Sequence, residues 1–93
     1  MNATPLEDFL LTHLRDQAPA SVDPVQVARA FQSATQPENR DPQAWHRHLS
    51  ALRRTALRLA ADGRVEVLRK GKPVPAAEAR GVIRLRLPST DGQ

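Results

Sequence analysis

Apolar residues recur at helical spacing from Trp45 to Ala60, and directly after Gly63 the period of the pattern falls from about 3.6 residues to 2. At about 100° per residue, Trp45, Leu49, Leu52, Ala56, Leu59 and Ala60 line one stripe over roughly four turns. A helix from about Pro42 to Asp62 would carry that stripe, with Gly63 as the residue beyond it that takes positive φ. Then Val65 and Val67 alternate with Arg64 and Glu66, and Ile83, Leu85 and Leu87 alternate with Arg84 and Arg86. Such alternation predicts two antiparallel strands, over 64–69 and 82–87, each with one wet face. A long helix followed by paired strands belongs to the α+β class.

Upstream, three helix starts share one chemistry. Thr4-Pro5, Asp23-Pro24 and Asp41-Pro42 each put a side-chain acceptor at the N-cap and proline at the first helical position. Proline suits that position because its fixed φ is helical and its missing N–H would be unpaired there. Glu7 follows Thr4 by three residues and Gln26 follows Asp23 by three, so both pairs fit a capping box. The first helix is predicted from about Pro5 to Gln17, with Leu6, Phe9, Leu10, His13 and Leu14 on its apolar face. Pro19 ends it, and Ala20-Ser21-Val22 has room only for a very short strand. The second helix, from about Pro24 to Ala34, buries Val27, Ala28 and Phe31. Thr35 to Arg40 is a polar loop, Lys70 to Arg80 a long hairpin loop with Gly71, Pro73 and Pro75, and Ser89 to Gln93 a polar tail. The expected core is Leu10, Phe31, Trp45, Leu49, Leu52, Ile83 and Leu85. Helix, short strand, helix, helix and a hairpin with a basic loop is the order of a winged helix-turn-helix, its wing the C-terminal antiparallel hairpin.

Composition narrows the class further. With 93 residues, 40% of them hydrophobic, the chain is expected to form one domain over 1–93, ordered from about 5 to 88. No cysteine is present, which removes disulfides, zinc-thiolate sites and a cysteine nucleophile together. Met1 to Leu14 carries acids where a leader would be basic, and Phe9-Leu10-Leu11 is too short for a signal core or a membrane span. The expectation is a cytoplasmic protein without membrane contact. Residues 1–45 hold three arginines against six acids, a net −3, whereas residues 46–93 hold eleven Lys or Arg against four acids, a net +7. Such asymmetry suits an anionic partner for the second half, although a solvated Arg-rich surface produces it too.

The stretches Val27-Ala28-Arg29-Ala30-Phe31, Trp45 and Leu59 to Val67 resemble a bacterial family catalogued as domain of unknown function 3253. So do Arg69-Lys70-Gly71-Lys72-Pro73-Val74 and the close from Arg80 to Arg86. The resemblance spans about residues 6–88 and implies a small, often stand-alone, winged-helix-like fold. It implies no activity, so function rests on the residues. Ser33 to Arg40 is longer than the family norm, which affects the turn between the second and third helices.

In a winged helix the third helix enters the major groove. Opposite its apolar stripe, at about 180–220°, stand Arg47, Arg54 and Arg58, placed to meet phosphates or guanine. Arg69, Lys70 and Lys72 surround Gly71 in the wing, and Arg84 and Arg86 line the outward face of the return strand. There they suit the DNA backbone, or serve only to protect a sheet edge. The wing has no aromatic residue for stacking bases, so duplex DNA is the expected nucleic acid. His46 and His48 stand about 200° apart on a helix and cannot share an ion, and His13 sits on an apolar face; no metal or cofactor is expected. No Gly-rich phosphate loop and no recognisable nucleophile–base pairing is present, so no enzyme is expected. The leading expectation is a non-catalytic DNA-binding domain, a small transcriptional regulator. The alternative is a protein-interaction module whose acidic first half, with Glu7, Asp8 and Asp16, meets a basic partner.

Overall fold

The computed structural model describes residues 4–88; the predicted tail over 89–93 lies outside them. Two helix starts follow the sequence. Helix α1 (Pro5–Gln17) is capped by Thr4, whose Oγ1 accepts from the Glu7 N–H at 3.1 Å. Helix α2 (Pro24–Thr35) carries the full capping box, the Asp23 side chain accepting from the Gln26 N–H and Gln26 Oε1 accepting from Asp23 N at 3.3 Å, and Asp23 Oδ1 also accepts from Val25 N at 2.9 Å. Between them the chain passes a cis Ala18–Pro19 bond, and Val22 bridges to Leu85 through a pair of backbone hydrogen bonds at 2.7 and 2.9 Å. That bridge is the very short strand expected there.

Helix α3 (His46–Ala61) begins one turn later than the Asp41-Pro42 signal implies. Asp41 does cap, its Oδ1 accepting from Gln43 N at 2.9 Å, but it caps a tighter turn. The bonds Ala44 N to Asp41 O, His46 N to Gln43 O and Arg47 N to Ala44 O all span three residues. This overwound segment makes Ala44 its buried residue, while Trp45 stays half-buried. Phe31 and Leu49 are half-buried as well, so three members of the expected core lie at its margin. The helix ends as predicted. Gly63 sits at φ 79°, with Gly63 N bonded to Ala60 O and Arg64 N to Leu59 O, the double bond pattern of a Schellman cap.

The sheet has strands β1 (Glu66–Arg69), β2 (Lys72–Val74) and β3 (Arg84–Arg86) in the order β2-β1-β3, all antiparallel. The predicted pairing of the two alternating segments is present, in the register Glu66 to Arg86, Val67 to Leu85 and Leu68 to Arg84. Leu85 gives both backbone groups to Val22, so Val67 and Leu85 face each other as a non-hydrogen-bonded pair with close side chains. Both are buried.

The long loop expected over 70–80 is instead a tight hairpin followed by a 3-10 turn (Ala76–Glu78). Lys70 and Gly71 form the two-residue connection at φ 53° and 81°, both positive as a type I′ turn requires. Lys-Gly is a weak hairpin signal beside Asn-Gly, and Pro73 argues against a strand. Pro73 is tolerated because β2 is an edge and its partner Leu68 lies one step from the turn-closing pair of Arg69 and Lys72. There the missing N–H would point outward. One hydrophobic cluster joins all the layers, with Leu10, Leu14, Val27, Ala28, Leu52, Ala56, Leu59, Val65, Val67, Ile83 and Leu85 at its centre.

Candidate nucleic-acid interface

The apolar stripe of α3 turns inward through Leu52, Ala56 and Leu59, which leaves His46, Arg47, Ser50, Arg54 and Arg58 on the exposed side. Arg47 and Arg54 have no carboxylate partner among the described residues. Arg58 does. Its guanidinium donates to Glu7 Oε1 on α1, and Arg64 reaches Glu7 Oε2 at 3.3 Å. Arg58 is therefore not the unpaired groove-facing cation expected from its helical phase.

Glu7 departs from its predicted roles. Its N–H meets Thr4, but its carboxylate turns away from the cap to the two arginines, so only half of that capping box forms. It is buried, with its side chain 6% exposed, and is no part of a free acidic surface. The Arg58 hydrogen bond holds its carboxyl below the usual 4.5; burial opposes this, and the charges of Arg58 and Arg64 reinforce it. A signal was available in the sequence. Glu7, Leu10 and Leu14 follow helical spacing on α1, so the acid shares the core stripe.

In the hairpin, Lys70 and Lys72 are exposed and Arg69 half-buried, and none meets an acid among the described residues. The return strand is more committed. Arg84 donates from Nε to Ser21 Oγ at 2.7 Å and from Nη2 to the Ser21 carbonyl at 2.9 Å. Arg86 pairs with Glu66 directly across the strands at 2.5 Å. Both fasten the sheet, and only Arg84 does so without neutralising its charge. Sequence reasoning missed Arg53, which donates to the carbonyl of Gly81 at 3.3 Å and more loosely to that of Ala79 at 3.5 Å. It ties the segment before β3 to the flank of α3.

The histidines diverge, as their spacing requires. His46 stacks on the Trp45 ring at 3.8 Å, and His13 lies 6.0 Å from Phe9. His48 packs edge-on against Phe31 and shares a 2.6 Å hydrogen bond with Gln32 Oε1. Gln32 Nε2 donates to Gln36 Oε1, so its oxygen accepts and His48 carries the Nε2 proton. Among the described residues no three His, Asp or Glu side chains are grouped to hold a metal ion. Burial, then the Arg47 charge, pushes the His48 pKa below its ordinary 6.5. A lowered histidine favours the folded state above the ordinary value and loses that contribution as pH falls through the lowered one. Thermal melts between about pH 7 and about pH 5 are thus expected to show falling stability, with a shallower fall in His48→Gln.

The fold is α+β, three helices and a three-stranded antiparallel sheet, compatible with a winged helix. The chain matches the family described as protein of unknown function, DUF3253, over residues 3–88, and it belongs to that family. No curated relative matches it. No helix among the described residues is long and apolar enough to cross a membrane.

Proposed function

We propose that this protein is a non-catalytic, cytoplasmic DNA-binding domain, a small regulator that grips duplex DNA with α3 and the β1–β2 hairpin. The observation that carries the reading is the residual charge. After the internal ion pairs are formed, Arg47 and Arg54 on α3 and Arg69, Lys70 and Lys72 at the hairpin have no carboxylate partner among the described residues. Lys70 adds weight. It occupies positive φ, where glycine costs less, and so sets an ammonium at the tip of the wing. The rival protein-interaction reading draws less support. Its acidic patch loses Glu7 to the interior, and the large hydrophobic residue exposed among those described is an isolated Val82.

Neutralising about five phosphates gives an expected slope of roughly −4.5 for log K against log salt. Lys70→Gly keeps the turn and removes one charge, so it is expected to flatten the slope by about one unit on every sequence. Arg54→Ala does the same if Arg54 meets phosphate; if it reads guanine, the loss is about 1–3 kcal/mol and confined to certain sequences. Fluorescence anisotropy with mixed-sequence duplexes measures both. No duplex binding at low salt and micromolar protein would refute the proposal.

A further inference from the structure

We infer that the turn Arg80-Gly81-Val82 is a second DNA-reading element, one that enters the minor groove beside the major groove held by α3 and favours pairs without guanine there; the inference rests on the duplex-binding reading above. Val82 is 89% exposed, whereas Ala79 and Ile83 on either side of the turn are buried. The turn is thus seated on the core with its valine held out in water. Its position is fixed from α3, where Arg53 donates to the carbonyls of Gly81 and Ala79. A lone exposed valine is ordinary on a protein surface, so its neighbours decide what it means. Arg53 directly precedes Arg54, about 100° around the helix, and the turn therefore flanks the wet face that carries Arg47 and Arg54. The register pairs Leu68 with Arg84 and Arg69 with Lys72, so the entry to β3 and the Lys70-Gly71 tip leave the sheet at the same end. The connection from Lys70 to Ile83 sets Lys70, Lys72 and Arg80 against one acid, Glu78, and all four are exposed. Arg80 has no carboxylate partner among the described residues.

Shape selects the groove. A helix fills the major groove, about 12 Å wide, and an element against its flank meets the backbone and the adjoining minor groove, about 6 Å wide. Only a thin element enters there. Gly81 is at φ 69° in the middle of the turn, and without a side chain it lets the backbone approach closely. The chemistry agrees with the shape. A narrow minor groove draws arginine by its negative potential, and apolar side chains pack against its walls and base steps. A valine placed among phosphates alone would gain nothing, so plain backbone binding accounts for Arg80 and not for Val82. Guanine sets the preference, because its amino group projects into the minor groove and adenine–thymine pairs leave that floor open.

The test is fluorescence anisotropy of the full chain at low salt with three duplexes of equal length, built from adenine–thymine, hypoxanthine–cytosine and guanine–cytosine pairs. Hypoxanthine is guanine without the amino group, so the second and third duplexes share a major-groove edge and differ in the minor groove. The expected result is tighter binding to the first two than to the third, by about fivefold or more. Arg80→Gln and Val82→Asn, both at exposed positions, are each expected to cut that preference below about twofold while leaving the melting temperature unchanged. Lys70→Gly, by contrast, weakens binding to all three alike. Equal affinity of the parent for the hypoxanthine and guanine duplexes, or a preference that survives in either turn variant, overturns the inference. Those outcomes leave the duplex-binding reading standing; binding to none of the three duplexes overturns both.

Discussion

Leu52→Ala is expected to lower stability by about 2–5 kcal/mol, the range for emptying a fully enclosed leucine site. Leu52 has no exposed surface and lies midway along α3, in the cluster that also holds Leu10 of α1, Val27 of α2 and Leu85 of β3. A cavity there loosens every layer together. Domains of this size are stable by about 5–15 kcal/mol, so the loss is a large share of the total. At roughly 4–8 °C per kcal/mol, the melting temperature should fall by about 10 °C or more. Urea and thermal unfolding of the purified variant measure it. A loss below about 1 kcal/mol would mean that Leu52 is not the centre of packing. Arg54→Ala, two residues on and on the opposite, wet face, is the control and is expected to stay within about 0.5 kcal/mol of the parent.

The second large effect concerns Glu7. Glu7→Ala removes both guanidinium contacts at the junction of α1 with α3 and is expected to lower the melting temperature by several degrees. Glu7→Gln separates charge from shape. It keeps a side chain of the same length and loses the ion pairs. The carboxyl is lowered from 4.5 in the fold, chiefly by the Arg58 hydrogen bond, so its stabilising contribution is present above that ordinary value. It disappears as pH falls through the lowered one. The parent should therefore lose stability steeply with acid below about pH 4.5, and Glu7→Gln less steeply. A parallel pair of acid curves would contradict this. Under the duplex-binding proposal the same variant has a second consequence. Freed from Glu7, Arg58 adds positive charge to the exposed side of α3, so duplex affinity should rise while stability falls.

The residues that behaved as their sequence pattern predicts act over short distances along the chain. Thr4, Asp23 and Gly63 cap helices through groups two to five residues away, so each boundary is legible in a few letters. Alternation around Val67 and Leu85 likewise marks two strands with one dry face each, and their pairing follows because each has a single apolar side to bury. The candidate cations were legible as residue types and positions on a helix face or in the wing, and six of the eight, Arg84 among them, remain without an acid among the described residues.

What the sequence could not settle depends on contacts made only when distant segments meet. Arg58 and Glu7 are 51 residues apart, and no local pattern tells a guanidinium on a wet face that an acid waits on the neighbouring helix. The same holds for Arg53, whose acceptors are backbone carbonyls more than 25 residues away. Strand β2 has weak turn letters and a proline, and forms because β1 has a free edge beside it. At Asp41 the letters specify a cap and tertiary packing selects the winding: the turn tightens, Ala44 goes inside, and Trp45 stays at the margin against Arg29 and His46. Capping and periodicity are short-range and largely additive, so one strand of text carries them. Ion pairs, edge pairing and the choice between two windings are decided by neighbours that only the folded chain supplies.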